Sequence, residues 1–160
     1  MMPSSDTLPF EATLHVRDTC LCLSAQRAAR SLVRRFDTAF KPMGITSGQF
    51  SLLMSLNRPE PPVLGSLAAL LAMDRTTLTA NLKPLERRGL IETIANPRDR
   101  RARLLRLTLE GTTLLARAYP IWTRTHAEID EKLSAPDDLR AGLMMLSASE
   151  NNRSRGHPAV

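Results

Sequence analysis

Apolar residues recur at intervals of three and four along most of this chain, and the gaps between such stretches fall at proline and glycine. From about Leu14 to Phe40 the positions Cys22, Ala25, Ala29, Leu32, Val33, Phe36 and Phe40 keep that rhythm and predict one long helix. Lys41-Pro42-Met43-Gly44 ends it, since Pro42 cannot continue a helix and Gly44 permits the turn. Thr46 and Gln49 form a capping-box pattern ahead of Phe50, Leu52, Leu53 and Leu56, which predicts a second helix. "NRPEPP" (57–62) is a hard break, and a short helix over about Gly65 to Ala72 points Leu67, Leu70 and Leu71 inward. Asp74 then caps a further helix with Leu78, Leu82 and Leu85 on one stripe, and Gly89 closes it behind Arg87 and Arg88. Two strand-like pieces follow, "LIETIA" (90–95) and "ARLLRLTL" (102–109), joined by the charged turn "NPRDRR" (96–101). A long helical stretch from about Glu110 to Leu133 has an expected mild break at Pro120. "SAPDD" restarts a last helix carrying Leu139, Leu143 and Leu146. Residues 1–10 and 150–160 read as flexible ends.

The helix over 74–90 is unusual on its outer side. Thr76, Thr77 and Thr79 are mediocre helix formers, and Pro84 removes a backbone donor. At 100° per residue, Thr76, Ala80, Lys83, Pro84 and Arg87 lie opposite the leucine stripe. A helix that only packed would carry Ala, Glu and Lys there, so the outer face calls for a function. Threonine offers a hydroxyl to base edges or phosphates and a methyl to thymine. Ala80 can also touch a thymine methyl, and Lys83 and Arg75 can supply phosphate or guanine contacts.

Charge sharpens this picture. The net charge is +6, and residues 75–106 hold nine Arg/Lys (75, 83, 87, 88, 98, 100, 101, 103, 106) against three acids (86, 92, 99). The rest of the chain is balanced, 13 against 13. A basic excess confined to one lobe is a footprint for a polyanion, and a solvated basic surface is the alternative reading of the same charge. Within 160 residues at 42% hydrophobic content, one domain is expected. No stretch is long and apolar enough to span a bilayer, so no membrane partner is expected. The N-terminal "MMPSSDTLPFEATLHVRD" has no basic start leading into an apolar core, and Cys20 and Cys22 do not make a disulfide framework. Both points favour a cytoplasmic chain.

Helix, helix, short helix, helix, hairpin, helix, helix is the order of a mainly α winged helix-turn-helix. In such modules the second helix of the motif enters the major groove of double-stranded DNA, and the hairpin is the wing. Residues 46–109 form the expected DNA-binding lobe within a domain over 11–149. Arg98, Asp99, Arg100 and Arg101 occupy the tip of the two-stranded β-wing.

At this point the chain resembles the MarR family of winged-helix transcription regulators. The carrying stretches are "FKPMGITSGQFSLL", "LAALLAMDRTTLTANLKPLERRGLI" and "NPRDRRARLLRLTLEG". The resemblance covers about residues 14–149. It implies a homodimer built from N- and C-terminal dimerisation helices (about 11–40 and 110–149) that reads a pseudo-palindromic operator, as a repressor released by a small-molecule effector. It also implies that Asp99 braces the wing by pairing with an arginine, while Arg101 reaches the minor groove.

"LCLSAQRAARSLVRRF" further resembles the start of the OhrR-type organic-peroxide sensors, with Cys22 on the reactive cysteine and Arg30 matching eight residues on. Those sensors hold their thiolate with two tyrosines, whose places are taken here by Gln26 and Phe36. The loss of both phenols favours an aromatic or phenolic ligand over peroxide as the signal. Cys22, Arg30, Phe36, Trp122 and His126 are the candidates for a ligand pocket or redox site. Packing alone also accounts for Trp122 and for an apolar Cys22, and for His126 at the surface. His15, His126 and His157 are too scattered for a metal site, and no cofactor is expected. Two readings from other classes remain: a winged-helix protein-interaction module, and a cysteine enzyme, for which no base and orienting group are marked near Cys22.

Overall fold

The structure, a computed structural model, describes residues 7–151. The expected flexible N-terminus therefore lies outside the described residues up to position 6, and the expected C-terminal tail from position 152. Between them the order is α1 (Phe10–Thr19), α2 (Leu21–Phe40), a single 3-10 turn (Lys41–Met43), α3 (Ser47–Leu56), α4 (Leu64–Leu70), α5 (Arg75–Arg87), β1 (Ile91–Ala95), β2 (Arg103–Leu107), α6 (Leu109–Asp130) and α7 (Pro136–Asn151). Two compact units result, one ending at Ile121 and one beginning at Trp122.

The predicted long first helix is two helices. At Cys20 the backbone is extended (φ −73°, ψ 107°), and its Sγ accepts the Leu23 N–H at 3.4 Å as the N-cap of α2. The Thr19 hydroxyl turns back onto the His15 carbonyl at 2.7 Å. Short polar side chains that bond to nearby backbone groups compete with helix continuation, and a periodic pattern does not register one capping residue inside it. Cys20 is thus a cap, half-buried, whereas Cys22 is exposed on α2.

The core of the first unit forms where α2 ends. Phe40 stacks on Phe50 with ring centroids 4.7 Å apart, and Phe36 lies 6.0 Å from Phe40. Leu52 and Leu53 of α3, Leu67 of α4, and Leu78 and Leu85 of α5 are fully enclosed. The capping box is present as read: Thr46 Oγ1 accepts the Gln49 N–H at 3.2 Å, and Gln49 Oε1 accepts the Thr46 N–H at 3.1 Å. In addition, Asp37 of α2 accepts the Ser47 N–H at 2.7 Å, so α3 begins under the control of α2.

α5 ends in a Schellman turn. Gly89 adopts φ +68°, its N–H bonds the Glu86 carbonyl at 2.9 Å, and the Leu90 N–H bonds the Leu85 carbonyl at 3.0 Å. The two strands pair antiparallel, with Thr93 opposite Leu105. The second strand stops at Leu107, two residues before its expected end. Val63 adds a bridge to Leu104, and the Leu105 N–H bonds the Pro62 carbonyl at 3.0 Å. The proline-rich break thus ends as a short edge for the wing, a position proline tolerates because its missing donor is not needed there.

α6 starts at a cap. Thr108 Oγ1 accepts the Gly111 N–H at 3.0 Å, while the Thr108 hydroxyl donates to the Gly89 carbonyl at 2.6 Å and its N–H to the Leu90 carbonyl at 3.1 Å. The expected break at Pro120 does not occur, and α6 runs through it. Pro120 leaves the Ala116 carbonyl without its helical donor, but both residues are exposed, so that oxygen is open to solvent. In the second unit, α7 opens with Asp137 and Asp138 in its first turn, and Arg140 holds Asp137 at 2.7 Å and Asp130 of α6 at 2.5 Å.

Candidate nucleic-acid interface

The outer face of α5 rests on its inner one. Leu78, Leu82 and Leu85 are buried, so Thr76, Thr79, Ala80, Lys83 and Arg87 are exposed. Asp74 fixes the start: one carboxylate oxygen accepts the Thr77 N–H at 2.8 Å and the other accepts the Thr77 hydroxyl at 2.6 Å. These bonds, the hydroxyl's first, hold the Asp74 carboxyl below the usual carboxylate range.

The threonines are consequently unequal. Thr77 spends its hydroxyl proton on the cap, and Thr79 spends its own on the Arg75 carbonyl at 2.7 Å. Each retains only acceptor capacity and its methyl for a base edge, whereas the Thr76 hydroxyl makes no bond among the described residues. Arg75 lies against the start of α4, where a methyl group at Gly65 would sit 3.0 Å from a terminal guanidinium nitrogen. Gly65 therefore makes room for Arg75.

At the wing, Asn96 Oδ1 accepts the Arg98 N–H and Asp99 Oδ1 accepts the Arg101 N–H, both at 2.9 Å. The Asp99 brace is therefore a main-chain bond; among the described residues Asp99 forms no ion pair with an arginine side chain. Two successive side-chain turns of this kind shape the tip and leave its guanidinium groups outward. Arg98, Arg100, Arg101 and Arg103 are exposed and, like Lys83 and Arg87, have no acidic partner among the described residues. Arg106 is different, bonding Glu92 across the strands at 2.7 Å. Arg88 is also taken, donating to the Gly44 carbonyl at 2.6 Å across 44 residues of sequence. Charge counting treated these two as part of the polyanion footprint. Only the tertiary contacts separate them from the rest.

The candidate effector residues fall in separate places. On α2, Gln26 Nε2 donates to the Cys22 Sγ at 3.3 Å, and Arg30 donates to the Gln26 Oε1 at 2.8 Å, one turn further on. Phe36 is buried against Phe40, and so belongs to the core. Trp122 and His126 belong to the second unit, with ring centroids 4.5 Å apart. Burial keeps the His126 imidazole below its ordinary pKa, a shift opposed by Asp130 and reinforced by Arg140. Groups of three or more metal-ligating side chains are absent among the described residues. No helix among them is long and apolar enough to cross a membrane.

A capped helix with a polar outer face, followed by a hairpin with an arginine-rich tip, makes this chain a winged helix-turn-helix protein of the DNA-binding kind. The sequence profile of the MarR family matches residues 45–102. The fold is similar to that of the Mycobacterium tuberculosis transcriptional regulator MosR in complex with DNA, with a TM-score of 0.74 and 34% identity over 84% of this chain and 98% of that one. It is also similar to the repressor CouR bound to a 23-mer DNA duplex, with a TM-score of 0.72 and 30% identity over 84% of this chain and 95% of that one. The organic hydroperoxide resistance transcriptional regulator of Bacillus subtilis is 29% identical over 101 residues, 63% of this chain and 69% of that protein. The curated relatives are matched over about two thirds of their length. The chain belongs to the MarR family and is a DNA-binding transcription regulator.

Proposed function

We propose that the protein is a homodimeric repressor that reads a pseudo-palindromic operator with the outer face of α5 and steadies itself through the wing. The observation that carries this reading is the exposed Thr76–Ala80–Lys83 face above three buried leucines, with wing arginines that have no acidic partner among the described residues. Dimerisation is supported by apolar side chains left exposed on the flanking helices: Phe10 and Val16 of α1, Leu21 of α2, and Leu139, Leu143 and Met144 of α7. Two recognition helices about 34 Å apart would meet half-sites one helical turn apart. Selection of fragments from a genomic DNA pool gives the operator on which variants are then compared. Thr76→Val should relax base preference, since a lost base contact costs about 1–3 kcal/mol. Lys83→Ala should lower affinity on all sequences and reduce the salt slope by about one. Weak, salt-insensitive binding that selects no sequence would favour the protein-interaction reading instead.

Release of DNA by a small aromatic or phenolic ligand is the effector reading that the missing tyrosines favour. The ligand must bind better to a lobe spacing that does not fit DNA. The relay on α2 supports a second reading, in which Cys22 senses organic peroxide. Gln26 offers the sulfur an N–H donor where a phenol is absent, and Arg30 orients that amide. In that chemistry the Cys22 thiolate attacks the peroxide, the O–O bond breaks, a sulfenic acid forms, and the alkoxide leaves and takes up a proton. Titration of parent and Cys22→Ser on the operator separates the two. Release of both by aryl acids supports the ligand. Release of the parent alone by micromolar peroxide, reversed by thiol, supports the cysteine.

A further inference from the structure

We infer that Arg88 is a positioning residue for DNA recognition: it ties the C-terminal end of α5 to the turn that ends α2, and so sets the angle at which α5 is presented. The inference rests on the DNA-binding reading of α5. Arg88 is the C-cap residue of that helix, and its backbone passes directly into the Schellman turn at Gly89. Its guanidinium Nη1 donates to the Gly44 carbonyl at 2.6 Å. Gly44 has φ +65°, a conformation that favours glycine, and its N–H closes the 3-10 turn on the Lys41 carbonyl at 3.0 Å. A side chain at position 44 would begin 3.7 Å from the other terminal nitrogen of Arg88, so the guanidinium lies over a bare backbone.

The same turn is gripped from its other side. Asp37, in the last turns of α2, accepts the N–H of Ser47, the first residue of α3. Between Asp37 and Ser47 the chain therefore has little freedom, and a guanidinium anchored to its middle has a firm support. Hydrogen bonds involving a charged donor are the stronger ones, and this one spans 44 residues of sequence, where no local helical constraint could replace it. Among the described residues the exit of α5 is otherwise hydrogen-bonded from the wing side, by the Thr108 hydroxyl and N–H on the Gly89 and Leu90 carbonyls and by the Thr93 hydroxyl on the Glu86 carboxylate. With Arg88 removed, the exit stays attached at the wing side and loses its attachment to α2. The helix can then tilt without unfolding.

A positioning residue and a phosphate contact predict different salt behaviour. Operator affinity, non-specific affinity and the salt slope of each are measured for the parent, Arg88→Ala and Arg88→Lys, alongside the thermal midpoint. Arg88→Ala should lose about tenfold in operator affinity while non-specific affinity and both salt slopes stay at parent values, because no counterion-releasing contact is removed. Arg88→Lys, which keeps a charged donor on a long stem, should recover part of the loss. Salt slopes reduced by about one, with operator and non-specific binding falling together, would make Arg88 a phosphate ligand and overturn the inference. Operator affinity equal to the parent's would overturn it too, as would a loss matched by an equal collapse in thermal stability. A parent that selects no DNA sequence would overturn the underlying DNA-binding reading, and the inference would fall with it.

Discussion

Replacing Gly111 by alanine is expected to destabilise the protein by on the order of 3 kcal/mol, the upper range for an overpacked site. A methyl group there would lie 1.9 Å from the Leu90 carbonyl oxygen, far inside any contact distance, and the obstacle is backbone. That carbonyl already accepts the Thr108 N–H, and Leu90 completes the Schellman turn of α5. The chain can relieve the clash only by moving the start of α6 away from the exit of the recognition helix. Urea denaturation at fixed protein concentration measures the loss, and the concentration is held because the folding of a dimer, as proposed, is linked to its assembly. DNA affinity should fall in the same variant. Thr108→Val, which removes the hydroxyl but adds no bulk, should cost about 1 kcal/mol, as the loss of a helix cap does. A Gly111→Ala protein as stable as the parent would mean that α6 is free to slide on Leu90.

The second large effect is expected at the wing. Arg101→Ala should weaken operator binding about tenfold or more where the flanking DNA is AT-rich, and much less where it is GC-rich, because a narrow minor groove concentrates negative potential. The structure adds a discriminating companion. Asp99 Oδ1 accepts a main-chain N–H, so an amide oxygen can replace it, while an ion pair would need the charge. Asp99→Asn should therefore keep most of the binding, and Asp99→Ala should lose several-fold as the tip loosens. Binding assays on operators with exchanged flanks read both effects. Equal losses for Asn and Ala at position 99 would instead require an ion pair formed by Asp99 on DNA.

Much of this protein follows from local chemistry, which is legible residue by residue. Caps at Thr46 and Asp74, the left-handed residue at Gly89 and the leucine stripe of α5 all depend on groups within four or five positions of one another. The outward polar face of α5 was legible for the same reason, since a helix with three buried leucines has its opposite side determined by geometry. Several local features escaped, among them Leu70 of α4, expected inward but exposed. The cap at Cys20 was hidden because an apolar period continues across it, and Pro120 was overrated because an exposed carbonyl can be left to water.

What the sequence alone could not decide is which of its many arginines are available. Arg98, Arg100, Arg101, Arg88 and Arg106 look alike as a string of charges. Folding sets Arg106 on Glu92 and Arg88 on the Gly44 carbonyl, and leaves the wing-tip guanidinium groups without acidic partners among the described residues. Likewise the closeness of Gly111 to Leu90, and of Gln26 to Cys22, depends on where backbones and side chains meet once elements pack. Periodicity and capping report a residue's relation to its own helix or strand. Partners tens of residues away are chosen by the packing of whole elements, and that choice exists only in the tertiary structure.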